Sequence, residues 1–395
     1  MTEDSFDEFL TESKVFKDAS ILSPHFVPKA LPFRGKEIKE IMSLVSPAIK
    51  GQRSKNIFIY GKTGCGKTAT VKHVMEKFGS SRNNAYISYV NCRIYNSRYR
   101  VMQKILKQFV PELEKAGFGL TFLYEKLIEI CDKGIVMIVV LDEIDIIKDL
   151  DDMVYTLTRV NDELRKGGVS LIGISNKLTF KQGLDQRSKS SLNETEIVFP
   201  PYTSEQLKKI LAQRAEKAFK DNVVQQSAIN LAAAITAQES GDARYALKIL
   251  LKAGESAEQN NKTKVTDEEV ESARRKVELD IAQETLATLP ENHQMLLLAI
   301  SDLILNGTKY SRLDVGEENF LMSGEVYEEY ELICKKLKKR ARSVRWYHEY
   351  LKDLETLGLI MTTPSTKGQR GHTTLIRLGL EPKIVSQIMK KNFGL

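Results

Sequence analysis

No apolar run in this sequence approaches the ~18 residues that a membrane-spanning helix requires. The longest, residues 135–141, is the length of a strand. The N-terminus lacks the basic-then-apolar order of a secretion signal, so the expected location is the cytoplasm. Cysteine is scarce: Cys65, Cys92, Cys131 and Cys334 are the only four, and none stand at C-x-x-C spacing. They indicate neither a zinc site nor a disulfide framework, and they fit a reducing compartment. Internal repeats and low-complexity stretches are missing too. The first thirteen residues contain no basic side chain but five acids, Glu3, Asp4, Asp7, Glu8 and Glu12. Residues 1–15 therefore read as a flexible acidic tail.

What is present is enough for more than one core. A chain of 395 residues exceeds one ordinary domain, and its 42% hydrophobic and 28% charged residues are those of a globular protein. The net charge of +7 permits nucleic-acid binding without establishing it, and part of the basic charge is concentrated in residues 335–345. Apolar, β-rich segments at 56–60, 85–91, 135–141, 169–174 and 196–199 alternate with helical patterns at 68–78 and 99–109. This is the signature of an α/β fold whose parallel sheet is covered on both faces. At Pro200-Pro201 the pattern changes to helices alone, with capping boxes at Thr203/Gln206 and Thr266/Glu269. After Pro290 come helices near 291–305, 324–339 and 342–357. A Gly- and Lys/Arg-containing turn and a β-like segment at 373–378 follow, the plan of a winged helix-turn-helix with a two-stranded wing. The expected domains are residues 16–200, 201–285 and 286–395.

Two motifs carry chemistry. Gly61-Lys-Thr63-Gly64-Cys65-Gly66-Lys67-Thr68 matches G-x-x-x-x-G-K-[ST], following an expected strand and opening an expected helix. Its glycines let backbone N–H groups converge on phosphate, and the helix N-terminus adds favourable partial charge. Lys67 is expected to reach the β- and γ-phosphates of a nucleotide, ATP or ADP, and Thr68 to ligate Mg²⁺. Cys65 fills a small-residue slot. The strand 135–141 then runs into Asp142-Glu143, placing two carboxylates at the C-terminal edge of the sheet, where α/β ligands gather. Asp142 is the candidate Mg²⁺ holder, Glu143 the candidate for polarising an attacking water, and Asp145 a structural salt bridge.

Further residues resemble those of AAA+ ATPases. Asn176, ending the strand 169–175, matches the family's first sensor, whose amide bonds water and γ-phosphate. Gly241-Asp-Ala-Arg244-Tyr-Ala-Leu resembles the second sensor, which implies that Arg244 reaches the phosphates from a helical lid domain. Asp185-Gln-Arg187-Ser resembles the segment carrying an arginine finger, with Gln-Arg-Ser where relatives usually have Pro-Arg-Val. Arg187 is thus a candidate either for acting on a neighbour's ATP or for pairing with an acid. Over nearly the whole chain the set resembles the archaeal replication initiators related to the origin recognition complex and helicase loader of eukaryotes. Residues 27–37, with Phe33 and Arg34, look like their N-terminal motif lining the adenine pocket. Ala69, Tyr202 and Arg214 complete the candidate nucleotide-binding set.

The resemblance implies double-stranded DNA as partner, other initiator paralogues and the replicative helicase as further ones, and association with the nucleoid. Residues 332–348 contain seven basic side chains and no acid. Of these, Lys338, Lys339, Arg340, Arg342 and Arg345, with Ser343 and Trp346, are the candidate contacts of a recognition helix starting near Arg342. Tyr347, Leu351 and Leu354 have core spacing. Lys367, Gln369, Arg370 and His372 belong to the wing, whose Lys367 and Arg370 suit a minor groove. Arg98, Tyr99 and Arg100 occupy the place of the initiators' helical insertion and are candidate phosphate contacts. The expected function is ATP-regulated origin recognition with slow hydrolysis as a switch. The alternatives are a loader-type motor ATPase acting through partners and an ATP-switched transcription regulator.

Overall fold

The computed structural model describes residues 13–24, 26–79, 84–114, 117–177, 180, 184–192, 194–307, 320–364 and 374–395. The chain divides into two compact units, one ending at Ala273 and the other beginning at Arg274. The wing residues Lys367, Gln369, Arg370 and His372 lie outside the described residues.

The first unit holds a five-stranded sheet built from β1 (Asn56–Tyr60), β2 (Ala85–Asn91), β3 (Val136–Asp142), β4 (Gly168–Ser175) and β5 (Glu194–Val198) in the order β2-β3-β4-β1-β5. All neighbours are parallel. Strand alternation divides the side chains between two cores. Phe58, Tyr60, Met137, Val139 and Leu141 face one cluster, and Ile57, Ile59, Val136, Ile138 and Val140 face the other. The covering helices are α1 (Gly35–Val45), α2 (Lys67–Phe78), α3 (Arg98–Leu106), α4 (Leu120–Asp132), α5 (Leu150–Glu163) and α6 (Gln186–Leu192). Each of the wholly buried aliphatic side chains contributes about 1.5–3 kcal/mol relative to exposure. β5 starts two residues before its expected position, because Glu194 and Thr195 already pair with Asn56 and Ile57.

The same unit continues into a helical lid of α7 (Ser204–Ala218), α8 (Gln226–Glu239), α9 (Ala243–Gln259) and the start of α10 (Asp267–Ala287). The capping box at Thr203 is complete, with the Gln206 amide N–H donating to Thr203 Oγ1 at 3.4 Å and Thr203 N–H to Gln206 Oε1 at 3.1 Å. At Thr266 the reciprocal bond differs: both its N–H and its hydroxyl donate to Glu269 Oε2, at 2.9 and 2.6 Å. Burial alone would raise the Glu269 pKa, but bonds from Lys262 and Thr266 bring it down to about 2. Ser13, Val15 and Phe16 depart from the expected tail and domain boundary by packing on the lid. Phe16 stacks on Phe219 at 4.8 Å and fills the space that a Cβ on Gly254 would need. Lys17 N–H donates to Ala218 O, and Lys220 N–H to Val15 O.

The second unit contains α11 (Glu291–Asn306), β6 (Leu321–Met322), α12 (Ser323–Lys336), α13 (Val344–Thr356), β7 (Ile360–Pro364), β8 (Thr374–Leu378) and α14 (Pro382–Phe393). Its sheet has three strands, β6-β8-β7, rather than the expected two, since Leu321 and Met322 pair with Ile376 and Leu375. The helix expected over 324–339 stops at Lys336. Lys338 takes a left-handed φ of 54°, and Lys339 N–H closes back on Cys334 O at 2.8 Å. Lys338 and Lys339 therefore belong to the turn of the helix-turn-helix. No helix among the described residues is long and apolar enough to cross a membrane.

Candidate nucleotide and DNA-binding sites

The loop after β1 wraps into the N-terminus of α2. Gly64 and Gly66 both have positive φ, 68° and 90°. A Cβ on Gly64 would stand 1.6 Å from Asp242 Oδ1, and one on Gly66 2.6 Å from the Tyr202 hydroxyl. Asp242 caps α9, and the next amide, Ala243 N–H, donates to Gly64 O at 3.3 Å. The lid thus meets the loop directly, at a contact that only glycine permits.

The loop opens into a cavity of about 510 Å³, within the usual range of small-molecule sites. At its polar end the buried Lys67 ammonium donates to Gly61 O (2.7 Å), Lys62 O (2.8 Å) and Asn176 Oδ1 (2.8 Å). Burial pulls the Lys67 pKa below its usual value, and the nearby Arg244 guanidinium adds to that effect. Two cations converging with Asn176 on one cavity form a receptor for an anion. The N-terminus of α9 reinforces them.

Thr68 Oγ1 donates to Asp142 Oδ2 and Oδ1 at 3.0 and 3.2 Å. Hard oxygen donors set beside an anion receptor fit Mg²⁺. Among the described residues no cluster of three or more His, Cys, Asp or Glu side chains could hold a metal. A cation here would complete its shell with water and phosphate oxygens, as Mg²⁺ prefers. Glu143, in a left-handed turn (φ 58°), is ion-paired with Arg93. Asp145 accepts from Ser175 Oγ at 3.0 Å and pairs with Lys177 at 3.7 Å, the structural role expected of it.

Apolar side chains line the cavity too, among them Pro24, Phe26, Val27, Leu31, Ala69, Ile210 and Leu247. Arg214 lines it as well, but both terminal guanidinium nitrogens are engaged, Nη1 with Ile21 O (2.8 Å) and Nη2 with Phe26 O (3.2 Å). It ties the wall to α7.

Several expected site residues stand elsewhere. Phe33 and Arg34 do not line the cavity. The Phe33 ring is partly exposed under Lys209, and Arg34 is buried behind the loop. Arg34 donates to Cys65 O (3.0 Å), Pro200 O (2.7 Å) and Glu37 (2.9 Å) and stacks over Tyr202 at 4.2 Å. It props the loop. Gly61, Thr63 and Cys65 form the loop's back and rim, while Tyr202 lines the cavity. Arg187 is exposed and does not line its own chain's cavity. Lys72, Tyr89, Asn91 and Arg93 were missed. Strand order, which puts the end of β2 beside Asp142, brings Tyr89, Asn91 and Arg93 there, and Lys72 reaches the Tyr89 ring from α2.

On α3, Arg98 is turned inward. Its Nε lies 4.0 Å from Asp149 and its Nη1 3.7 Å from Asp152. Tyr99 packs against the core, which leaves Arg100 exposed. The second unit presents Lys338, Lys339, Arg340, Arg342, Ser343, Arg345 and Trp346 on its surface, although Lys339 pairs with Glu291 at 2.5 Å. Tyr347, Leu351 and Leu354 are core, as their spacing indicates. The turn is fixed by tyrosines: Tyr327 donates to Arg342 O at 2.9 Å, Arg342 N–H donates to the Tyr330 hydroxyl at 3.4 Å, and Tyr347 donates to Ser323 O at 2.9 Å.

Comparison with known proteins agrees with this layout. Residues 50–180 match the family model of an AAA domain, 208–275 that of the Cdc6 AAA+ ATPase-type lid domain, and 284–388 that of the CDC6 C-terminal winged helix domain. An ORC1-type DNA replication protein of Thermococcus kodakarensis is 40% identical, with 98% of this chain and 93% of the relative aligned. ORC1-type DNA replication protein 1 of Archaeoglobus fulgidus is 37% identical over 99% of this chain and 94% of its own. The structure of the Aeropyrum pernix ORC1 protein in complex with DNA matches with a TM-score of 0.79 at 34% identity, covering 96% of this chain and 98% of that one. The chain belongs to the ORC1-type family of AAA+ DNA replication proteins, with its ATPase-type domain, Cdc6-type lid and winged helix.

Proposed function

We propose that this protein is an ATP-regulated double-stranded DNA binder that marks replication origins, with slow, Mg²⁺-dependent hydrolysis as a switch. The observation that carries the reading is one chain holding both an anion-receptive cavity at Lys67 and Arg244 and an exposed basic surface on a helix-turn-helix. The Aeropyrum pernix relative was solved on DNA. The domains are a base (16–200) with its N-terminal strap on the lid, a lid (201–285) and a winged helix (286–395). Other initiator copies and the replicative helicase are the proposed partners, and the nucleoid the place of action.

In this reading Thr68 and Asp142 would hold Mg²⁺, which would neutralise charge developing on the phosphates. Lys67, Asn176 and Arg244 bind the phosphates, and Glu143 orients the attacking water. Arg187 acts on a neighbouring copy. The ion pair between Arg93 and Glu143 supports slow turnover, because it draws the water-orienting carboxylate toward a surface arginine. Arg93→Ala is expected to raise hydrolysis about two- to five-fold, the modest effect of an exposed pair. Phosphate release that is unchanged or slower would remove the pair as a brake.

The test is selection of genomic duplex fragments by the wild-type protein at fixed salt, with ATP and without nucleotide. Enrichment of origin fragments that depends on nucleotide is the expected result. Binding without fragment preference would sink site recognition and favour a loader ATPase acting through partners.

A further inference from the structure

β2 ends beside the C-terminal end of β3, with Asn91 in register with Asp142 and Tyr89 with Val140. Alternation puts Tyr89 and Asn91 on one face, and both line the nucleotide cavity. From there the Tyr89 hydroxyl donates to Asp142 Oδ2 at 2.6 Å. The same carboxylate accepts from Thr68, more closely at Oδ2 than at Oδ1. Asp142 is only 5% exposed, so hydroxyl donors rather than bulk water set its orientation.

That orientation has a consequence for Thr68. A hydroxyl has one proton and two lone pairs. With its proton given to Asp142, Thr68 Oγ1 presents lone pairs to a cation. A second tie holds the phenol in place: Lys72 Nζ lies 4.9 Å from the centre of the Tyr89 ring. A cation over the ring anchors it and polarises its O–H. Lys72 follows Thr68 by one helical turn on α2, so both ends of the circuit start from the same face of one helix.

We propose that Tyr89 is a positioning residue for the divalent cation of the nucleotide site. Its hydroxyl fixes the Asp142 carboxylate so that Thr68 turns its lone pairs toward the metal, while Lys72 holds the ring. The proposal rests on the nucleotide-binding reading above. Tyr89→Phe keeps the ring, its packing and its contact with Lys72, and removes only the bond to Asp142.

The test uses the full chain, freed of bound nucleotide, with ADP binding followed by calorimetry first in EDTA and then across a Mg²⁺ titration. For Tyr89→Phe, ADP affinity in EDTA stays within about two-fold of wild type. The half-saturating Mg²⁺ concentration rises about 10- to 100-fold, the usual effect of losing a hydrogen bond that orients a metal ligand. In an Asp142→Asn background, adding Tyr89→Phe changes that concentration by less than about two-fold, because the carboxylate it orients is gone. The same Mg²⁺ dependence in wild type and Tyr89→Phe overturns the proposal. So does an equal loss of ADP affinity in EDTA, which would make the phenol part of the cavity's packing. Wild-type protein that binds no ADP at any Mg²⁺ concentration overturns the nucleotide reading itself, and this proposal with it.

Discussion

Lys67→Ala is expected to abolish the thermal stabilisation that ATP and Mg²⁺ confer, while leaving the nucleotide-free protein as stable as wild type or more so. The two halves of this result come from one geometry. Without nucleotide the ammonium is buried, and it donates to two backbone carbonyls and the Asn176 amide oxygen. No carboxylate is within bonding distance of it among the described residues, and burial depresses its pKa. A charge held this way costs the folded state desolvation energy. Removing it relieves that cost, although the carbonyls lose a donor. With phosphate present the same burial works in reverse, because charge-assisted bonds are strongest where water is excluded. Losing contacts to two phosphates weakens binding by at least about 100-fold, or about 2.7 kcal/mol. At nucleotide concentrations that saturate wild type, the linked rise in Tm should therefore largely disappear. Differential scanning fluorimetry with and without nucleotide reads both halves. A variant that keeps the full ligand-induced shift would remove Lys67 from the phosphate site.

The phosphate loop was legible because its geometry is local. Closely spaced glycines at 61, 64 and 66, a strand before and a helix after specify the turn without help from the rest of the chain. The sheet was legible for a similar reason: unbroken apolar strands such as 136–141 have no exposed face on which to place a polar residue. Side chains that meet across long stretches of sequence were not legible. Arg98 lies among basic and aromatic residues and so suggests DNA, but its backbone N–H and its guanidinium both turn to Asp149, 51 residues away. Arg34 suggests a nucleotide contact from its motif. Its carbonyl partners, Cys65 and Pro200, are set by the fold of the loop and by the sheet's exit. Tyr89 and Arg93 escaped because nothing in the spelling of β2 shows that its end adjoins Asp142; only strand order does. α14 did leave a signal, with Pro382 opening it and Val385, Ile388 and Met389 at helical spacing.

The second large effect is expected on DNA. Replacing Arg342 and Arg345 together by alanine should weaken duplex binding by about 2–4 kcal/mol, roughly 30- to 1,000-fold. The slope of log affinity against log salt should fall by about 2. Both side chains are exposed and face no acid within ion-pair distance among the described residues, so the change removes charge without unmaking the fold. The bonds that hold the turn use the Arg342 backbone, its carbonyl accepting from Tyr327 and its amide donating to Tyr330. Alanine preserves both, and α13 stays anchored through Tyr347 and Leu354 in the core. Arg98→Ala is the contrasting control, because Arg98 is paired with Asp149 and Asp152 and should change the salt slope little. Fluorescence anisotropy on one duplex at several salt concentrations separates the possibilities. A lower affinity with an unchanged slope would mean that these arginines meet no phosphate. An unchanged affinity would move the DNA surface off this helix-turn-helix altogether.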